Sequence, residues 1–79
     1  MTPEQAFAQI LRGLRSKAGI TQEQLAFDAN LDRTYISLLE RGLRQPTLGT
    51  MLQLCDALRV SPATLMNDIQ GVLREVDAS

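Results

Sequence analysis

The hydrophobic positions of this chain recur at the three- and four-residue spacing of amphipathic α-helices. In the first stretch they form one apolar stripe, which comprises Phe7, Ile10, Leu11, Leu14 and Ala18. Thr2 and Pro3 are the residue types of a helix cap and first helical position, and Ala18 and Gly19 are typical of a helix end. The pattern therefore predicts a helix that begins at Pro3 and ends near Gly19.

Residues 22–41 are predicted to form two short amphipathic helices with a tight corner between them. Thr21 is a suitable N-cap, and Gln24 stands where a capping-box partner belongs. Asn30 tolerates the left-handed conformation of such a corner, and Asp32 can cap the second helix. The buried faces are predicted to be Leu25, Ala26 and Ala29 in the first helix, and Ile36 and Leu39 in the second.

Two further helices are predicted after the loop that contains Gly42 and Pro46. The fourth helix follows a cap at Thr47, and the fifth begins at the Ser61-Pro62 pair. Core positions of the fourth are predicted to be Leu48, Met51, Leu52, Cys55 and Leu58, joined by Leu54. Asn67 and Gly71 interrupt the fifth pattern, so the sequence leaves open one helix or two short ones.

The composition favours a single small all-α domain. The chain has 79 residues, of which 44% are hydrophobic, and long β-branched runs are absent. A core from about residue 3 to 66 is predicted, followed by a tail over 67–79. The apolar residues from 69 onward exceed what that core needs, which predicts a homodimer through this region. The predicted interface comprises Leu65, Ile69, Val72, Leu73 and Val76. The alternative is a tail that folds back on its own domain or frays.

The reactive residue types exclude several functions. The chain has one cysteine and no histidine, so it lacks the ligands of a typical zinc site and the base of a Ser-His or Cys-His catalytic pair. Cys55 falls on an apolar face and is predicted to be a small core residue. No enzyme activity, cofactor or small-molecule ligand is expected. Without a long apolar stretch or a leader pattern, a cytoplasmic protein with no membrane partner is expected.

The charges are unevenly distributed along the chain, although the net charge is only −1. Residues 12–44 carry six basic and four acidic side chains, whereas residues 45–79 carry two basic and four acidic ones. The basic part contains the two short central helices. This distribution favours a nucleic-acid partner more than the net charge suggests.

The central stretch resembles the helix-turn-helix of the Cro/lambda-repressor-like (Xre) family. The resemblance is carried by Gln22, by Leu25-Ala26, by NLDRTYIS at residues 30–37 and by ERG at 40–42, and it continues through residues 46–61. It implies a five-helix lambda-repressor-like fold with the helix-turn-helix at helices 2 and 3. Within the family, NLDRTYIS and the short chain look most like the controller proteins of restriction-modification systems. Arg59 replaces the usual glycine after helix 4, which either strains the turn or places a cation near the last carbonyls.

The resemblance and the residue chemistry together suggest specific roles in binding double-stranded DNA. Predicted base contacts are Arg33, Thr34, Ser37 and Leu38, with the Arg33 fork matching guanine O6 and N7. Predicted phosphate contacts are Gln22, Tyr35, Arg41, Arg44 and Lys17, with Arg12 as a further candidate. The family pattern also implies an ion pair between Arg15 and Glu40. The alternatives are core packing for Leu38 and Tyr35, phosphate contact for Arg33, and a solvated surface position for Gln22, Arg15, Lys17 and Arg12.

The sequence therefore predicts a DNA-binding transcriptional regulator that acts as a homodimer on a palindromic operator. A controller of a restriction-modification locus is one version of this prediction. An antitoxin whose tail binds a toxin, or an adaptor that uses the same fold to bind proteins, is the alternative.

Overall fold

The chain folds into five helices and no strand over residues 1–78, which are the residues described by a computed structural model. The helices are α1 (Pro3–Ala18), α2 (Gln22–Ala29), α3 (Arg33–Glu40), α4 (Leu48–Leu58) and α5 (Pro62–Ala78). The all-α prediction is confirmed, and α5 is one continuous helix. Ser79, the last residue of the predicted tail, lies outside the described residues.

The helix starts follow the predicted capping chemistry. Thr2 Oγ1 accepts a hydrogen bond from the Gln5 N–H at 3.1 Å, and Gln5 Oε1 accepts one from the Thr2 N–H at 2.9 Å. Thr21 Oγ1 accepts from the Gln24 N–H, but the Gln24 side chain donates to Asp28 instead of completing a capping box. The remaining helices begin with side-chain caps at Asp32, Thr47 and Ser61.

The core lies where α1 packs on α3 and α5, and where α2 packs on α3 and α4. Its fully buried large side chains are Leu11, Leu25, Ile36, Leu39 and Leu54. The predicted inner faces of α2 and α3 are confirmed. Cys55 is buried as predicted, and this burial raises the pKa of its thiol. The thiol therefore stays protonated at neutral pH, as expected of an unreactive core cysteine.

The predicted core face of α4 is confirmed at Met51, Leu54, Cys55 and Leu58 but is wrong at Leu48 and Leu52. Leu48 is 70% exposed and Leu52 is 47% exposed, whereas Leu54 and Cys55 are buried. Apolar residues occur on more than one side of this helix, so hydrophobic spacing alone does not determine which side faces inward. The packing against α2 determines it, with Gln53 Nε2 donating to the Ala29 carbonyl at 3.2 Å.

The predicted dimer stripe on α5 belongs largely to the core of its own chain. Leu65 is 3% exposed and Ile69 is 7% exposed, and Val72 and Leu73 are half-buried against the same cluster. Of the predicted interface residues, Val76 is exposed. Because α1 packs along α5, the core extends past residue 66, where the sequence pattern had ended it. The alternative in which this region folds back on its own domain describes these residues better.

Arg59 adopts the left-handed conformation, with φ of +58°, at the position where the resemblance implies a glycine. This conformation costs a non-glycine residue about 1–2 kcal/mol. The turn is nevertheless closed by backbone bonds from the Arg59 N–H to the Asp56 carbonyl and from the Val60 N–H to the Cys55 carbonyl. Of the two alternatives for Arg59, backbone strain in the turn is thus the one that the φ angle supports.

Arg59→Gly is expected to raise the free energy of unfolding by about 0.5–1 kcal/mol, because relief of the left-handed strain exceeds the added entropy of the unfolded chain. Thermal or urea unfolding measures the change. Asn30→Gly is the matched control, since Asn30 has the same φ of +58° but tolerates it better. A destabilised Arg59→Gly variant would contradict the strain.

A partly buried ion pair joins α1 to the end of α3, with the Arg15 side chain 22% exposed. Arg15 Nε lies 2.6 Å from Glu40 Oε2, and Arg15 Nη2 lies 3.0 Å from Glu40 Oε1. Glu40 is 2% exposed, and hydrogen bonding to it raises the pKa of the Arg15 guanidinium. Arg15 Nη1 also donates to the Ile20 carbonyl at 2.9 Å. The pair that the resemblance implied is thus present, and Arg15 is not an ordinary surface arginine.

Arg12 adds a contact that the sequence did not predict. Its Nη1 donates to the backbone carbonyl of Glu40, 28 positions away in the chain. The last carbonyls of a helix have no partner within the helix, so Arg12 supplies one from outside. Two arginines of α1 therefore bind the same residue of α3.

Arg15→Ala is expected to lower the free energy of unfolding by about 3–5 kcal/mol, because the buried Glu40 carboxylate loses its charged partner. Urea unfolding at low temperature measures the loss. Arg15→Lys retains the charge without the bidentate geometry and should recover only part of it. In the Arg15→Ala, Glu40→Ala double variant the two losses should not add. Strict additivity would show that the two side chains do not interact energetically.

Candidate nucleic-acid interface

The outward side of α3 carries a guanidinium group and hydroxyl groups. Because Ile36 and Leu39 are turned into the core, the opposite side of this helix faces solvent. Arg33 and Thr34 are exposed in its first turn, and Ser37 is half-buried one turn later. Such groups supply the donors and acceptors that pair with base edges in a major groove.

Two predicted contact residues of α3, Leu38 and Tyr35, are only partly exposed. Leu38 is half-buried, so only part of its side chain is available to a ligand. Tyr35 is also half-buried, with its ring packed against the hydrophobic core. The ring packing predicted for Tyr35 is therefore present, while a phosphate contact by its hydroxyl stays a prediction.

A polar cleft lies between the first residues of α2 and α3. Its volume is about 390 Å³, and it is lined by Arg15, Thr21, Gln22, Glu23 and Arg33. The N–H groups of Gln22 and Glu23 lie at the start of α2, before its first intrahelical hydrogen bonds. Such N–H groups and nearby guanidinium groups attract anions. The Glu23 carboxylate at the same cleft opposes this attraction.

Gln22 is half-buried and makes a bond that the sequence did not predict. Its Nε2 donates to Glu40 Oε1 at 3.0 Å. It is therefore not the solvated surface residue that was the alternative. An amide nitrogen has two N–H donors, so the predicted phosphate contact would have to use the second one or the backbone N–H.

The turn after α3 is held in a fixed shape between two exposed arginines. The Leu43 N–H donates to the Leu38 carbonyl at 3.0 Å, and Gly42 has φ of +72°. A β-carbon at Gly42 would meet the Cα of Gln5 at 3.4 Å, so the turn also lies close against α1. Arg41 and Arg44 are exposed on this turn. With Arg33 at the other end, basic groups flank α3 at both termini.

Lys17 is exposed in the last turn of α1. The structure thus brings together most of the predicted DNA-contacting residues around α2, α3 and the following turn. Among the residues predicted for the dimer interface, by contrast, Leu65 and Ile69 are buried within their own chain.

Residues 1–78 offer neither a metal-binding cluster nor a membrane span. Within this range no group of three or more histidine, cysteine, aspartate or glutamate residues is placed to hold a metal ion. None of the helices described there combines the length and hydrophobicity that a membrane span requires.

Comparison with known proteins identifies the fold and its relatives. A family model described as helix-turn-helix matches residues 11–65. The control protein C.BamHI of Bacillus amyloliquefaciens is 44% identical over 62 residues, which are 77% of this chain and 76% of that protein. The crystal structure of the restriction-modification controller protein C.AhdI from Aeromonas hydrophila has 44% identity and a TM-score of 0.76, over 78% of this chain and 94% of that one.

A further solved structure is the restriction-modification controller protein C.Esp1396I, with 31% identity and a TM-score of 0.83 over 90% of this chain and 91% of that one. Crystal structures of that controller with alanine in place of an arginine, of the threonine that follows it, or of the next residue, a tyrosine, have also been solved. The same three residue types stand in the same order at positions 33–35 here. The chain belongs to the helix-turn-helix family of transcriptional regulators, and it is similar to the controller proteins of restriction-modification systems.

Proposed function

We propose that this regulator binds a palindromic operator in double-stranded DNA as a homodimer and controls a restriction-modification locus. The observation that carries the proposal is the outward side of α3, which presents Arg33 and Thr34 in its first turn and is followed by the exposed Arg41 and Arg44. The similarity to C.BamHI and C.AhdI supports the type of locus.

In this proposal α3 enters the major groove with its first turn toward the base edges, as recognition helices do. The planar fork of Arg33 donates to guanine O6 and N7. Thr34 and Ser37 contact neighbouring base edges through their hydroxyl groups. The exposed part of Leu38 contacts a thymine methyl group, and its half-buried position restricts this contact to one side of the residue.

The groups around α3 hold the duplex by its phosphates. The proposed contacts are made by Gln22 at the start of α2, Tyr35 through its hydroxyl, Arg41 and Arg44 on the turn after α3, and Lys17 at the end of α1. Phosphate contacts position the protein on the duplex but do not distinguish one base sequence from another. They also release counterions, so affinity should fall steeply as salt increases.

Selection of bound sequences from random duplex DNA is expected to yield a palindrome whose half-sites are spaced by about one helical turn. On that operator, Arg33→Ala should weaken binding and relax the base preference at one position in each half-site. Arg44→Ala should weaken operator and random DNA alike and reduce the salt slope by about one. Titration at several salt concentrations measures both effects.

Arg74→Ala is the matched control, because Arg74 is an exposed arginine on α5, remote in sequence from the proposed contacts. It should bind like the natural chain. If Arg33→Ala and Arg44→Ala lost affinity equally on operator and random DNA, the proposed division between base and phosphate contacts would be wrong. Absence of any enriched sequence would count against the proposed function itself.

Dimerisation follows from the small area that one α3 can read. Each good bidentate base contact contributes about 1–3 kcal/mol of discrimination, and one helix makes only a few of them. Two chains related by a two-fold axis place two recognition helices roughly 34 Å apart on one face of the duplex. Because Leu65 and Ile69 are buried, the proposed interface shifts to the exposed apolar side chains of α4 and α5, which are Leu48, Leu52, Met66 and Val76.

Leu52→Glu, alone and combined with Leu48→Glu, is expected to convert the dimer into monomers without unfolding them, because both side chains are exposed within one chain. Sedimentation equilibrium at tens of micromolar measures the mass, and circular dichroism checks the helix content. Phe27→Glu is the control, since Phe27 is 81% exposed on α2. A one-chain mass for the natural protein would rule out the dimer at these concentrations.

A further inference from the structure

The turn that ends α3 exposes an apolar side chain to which no role has been assigned above. Leu43 is 61% exposed, and it stands between the exposed arginines Arg41 and Arg44 in the chain. Single exposed leucines are common on protein surfaces, so exposure alone does not indicate a binding site. The fixed geometry of the turn and the two arginines beside it distinguish Leu43 from an ordinary exposed leucine.

The backbone around Leu43 is held in place. Its N–H donates to the Leu38 carbonyl at 3.0 Å, and the Gly42 N–H donates to the Leu39 carbonyl at 3.1 Å. This is a common helix ending, in which the residue after the left-handed glycine often packs on the last turn of the helix. Here that packing can account for only part of the side chain, because more than half of Leu43 remains exposed.

We propose that Leu43 packs against the deoxyribose rings of the DNA backbone when α3 occupies the major groove. This inference rests on the proposed function and adds an apolar contact to it. In the proposed function Arg41 and Arg44 bind phosphates, and the side chain between them in the chain then meets the sugar that joins successive phosphates. Because every nucleotide has that sugar, the contact contributes affinity without sequence preference.

The charges disfavour a second copy of the chain as the occupant. A two-fold interface brings the same patch of both chains together. Centred on Leu43, it would place Arg41 and Arg44 of one chain near the same arginines of the other, and like charges repel. A polyanion complements this patch, whereas an identical patch does not.

The experiment measures binding of Leu43→Ala and Leu43→Met to operator and random duplexes over a range of salt concentrations. Leu43→Ala should weaken binding to both duplexes by about three- to tenfold, the effect of removing a partly buried apolar contact. Its salt slope should match that of the natural chain, because an apolar contact releases no counterion, whereas Arg44→Ala should have a shallower slope. Leu43→Met should retain most of the affinity, since it keeps an apolar side chain of similar size.

Phe27→Ala is the matched control: it removes a more exposed apolar side chain, and its helix also carries Glu23 and Asp28, which disfavour approach of a polyanion. It should leave DNA affinity unchanged. Thermal unfolding should show that Leu43→Ala and Leu43→Met keep the fold.

Three outcomes would overturn the inference. The first is that Leu43→Ala binds DNA as tightly as the natural chain, and the second is that its salt slope differs. The third is that Leu43→Ala has a lower mass than the natural chain in sedimentation, which would identify a second copy as the occupant. Each leaves the proposed function intact if the natural chain selects a palindrome. If the natural chain selects no sequence, the proposed function fails first.

Discussion

The Glu40 carboxylate fixes the position of α3 against α1 and α2. It is almost fully buried, and its oxygens accept hydrogen bonds from Arg15 of α1 and from Gln22 of α2. A buried carboxylate is tolerated only when it is paired and hydrogen-bonded in this way. Because α3 has only eight residues, it cannot be stable or oriented on its own. Its orientation comes from the core contacts of Ile36 and Leu39 and from this cluster.

The same cluster links stability to the surface that we propose for DNA. Gln22 bonds to Glu40 and also lines the polar cleft at the start of α2, where Arg15 and Arg33 are present as well. Loss of Arg15 would therefore disturb both the packing of α1 on α3 and the geometry of that cleft. DNA affinity of any variant at Arg15, Gln22 or Glu40 has to be compared at equal folded fraction, because these residues serve the fold first.

Local signals allowed much of the fold to be predicted from the sequence, whereas contacts between distant segments were mostly missed. Caps at Thr2 and Asp32 depend on residues within a few positions, and the corner at Asn30 depends on one residue type. By contrast, the bonds from Arg12 to Glu40 and from Gln53 to Ala29 span 28 and 24 positions, and no periodicity reports them. Leu48 and Leu52 of α4 were wrongly placed in the core, and the apolar stripe of α5 was identified but assigned to a second chain instead of α1. Both errors concern packing between helices, which hydrophobic spacing does not report. The Arg15–Glu40 pair was predicted through family resemblance alone.

The exposed leucines at positions 43, 48 and 52 lie close together in the chain but have different charged neighbours. Leu43 stands between two exposed arginines, whereas Leu48 and Leu52 continue along one side of α4 toward the exposed Asp56. An apolar contact adds free energy to whatever complex buries it, whether the partner is DNA or protein. The flanking arginines favour a polyanion beside Leu43, which supports the proposed DNA contact. Leu48 and Leu52 have no basic neighbour on α4 and are proposed to meet an identical chain, where Asp56 has to lie outside the area buried between the two copies. In the proposed function, charge placement thus separates a leucine that faces DNA from leucines that face a second chain, a difference that the net charge of −1 does not reveal.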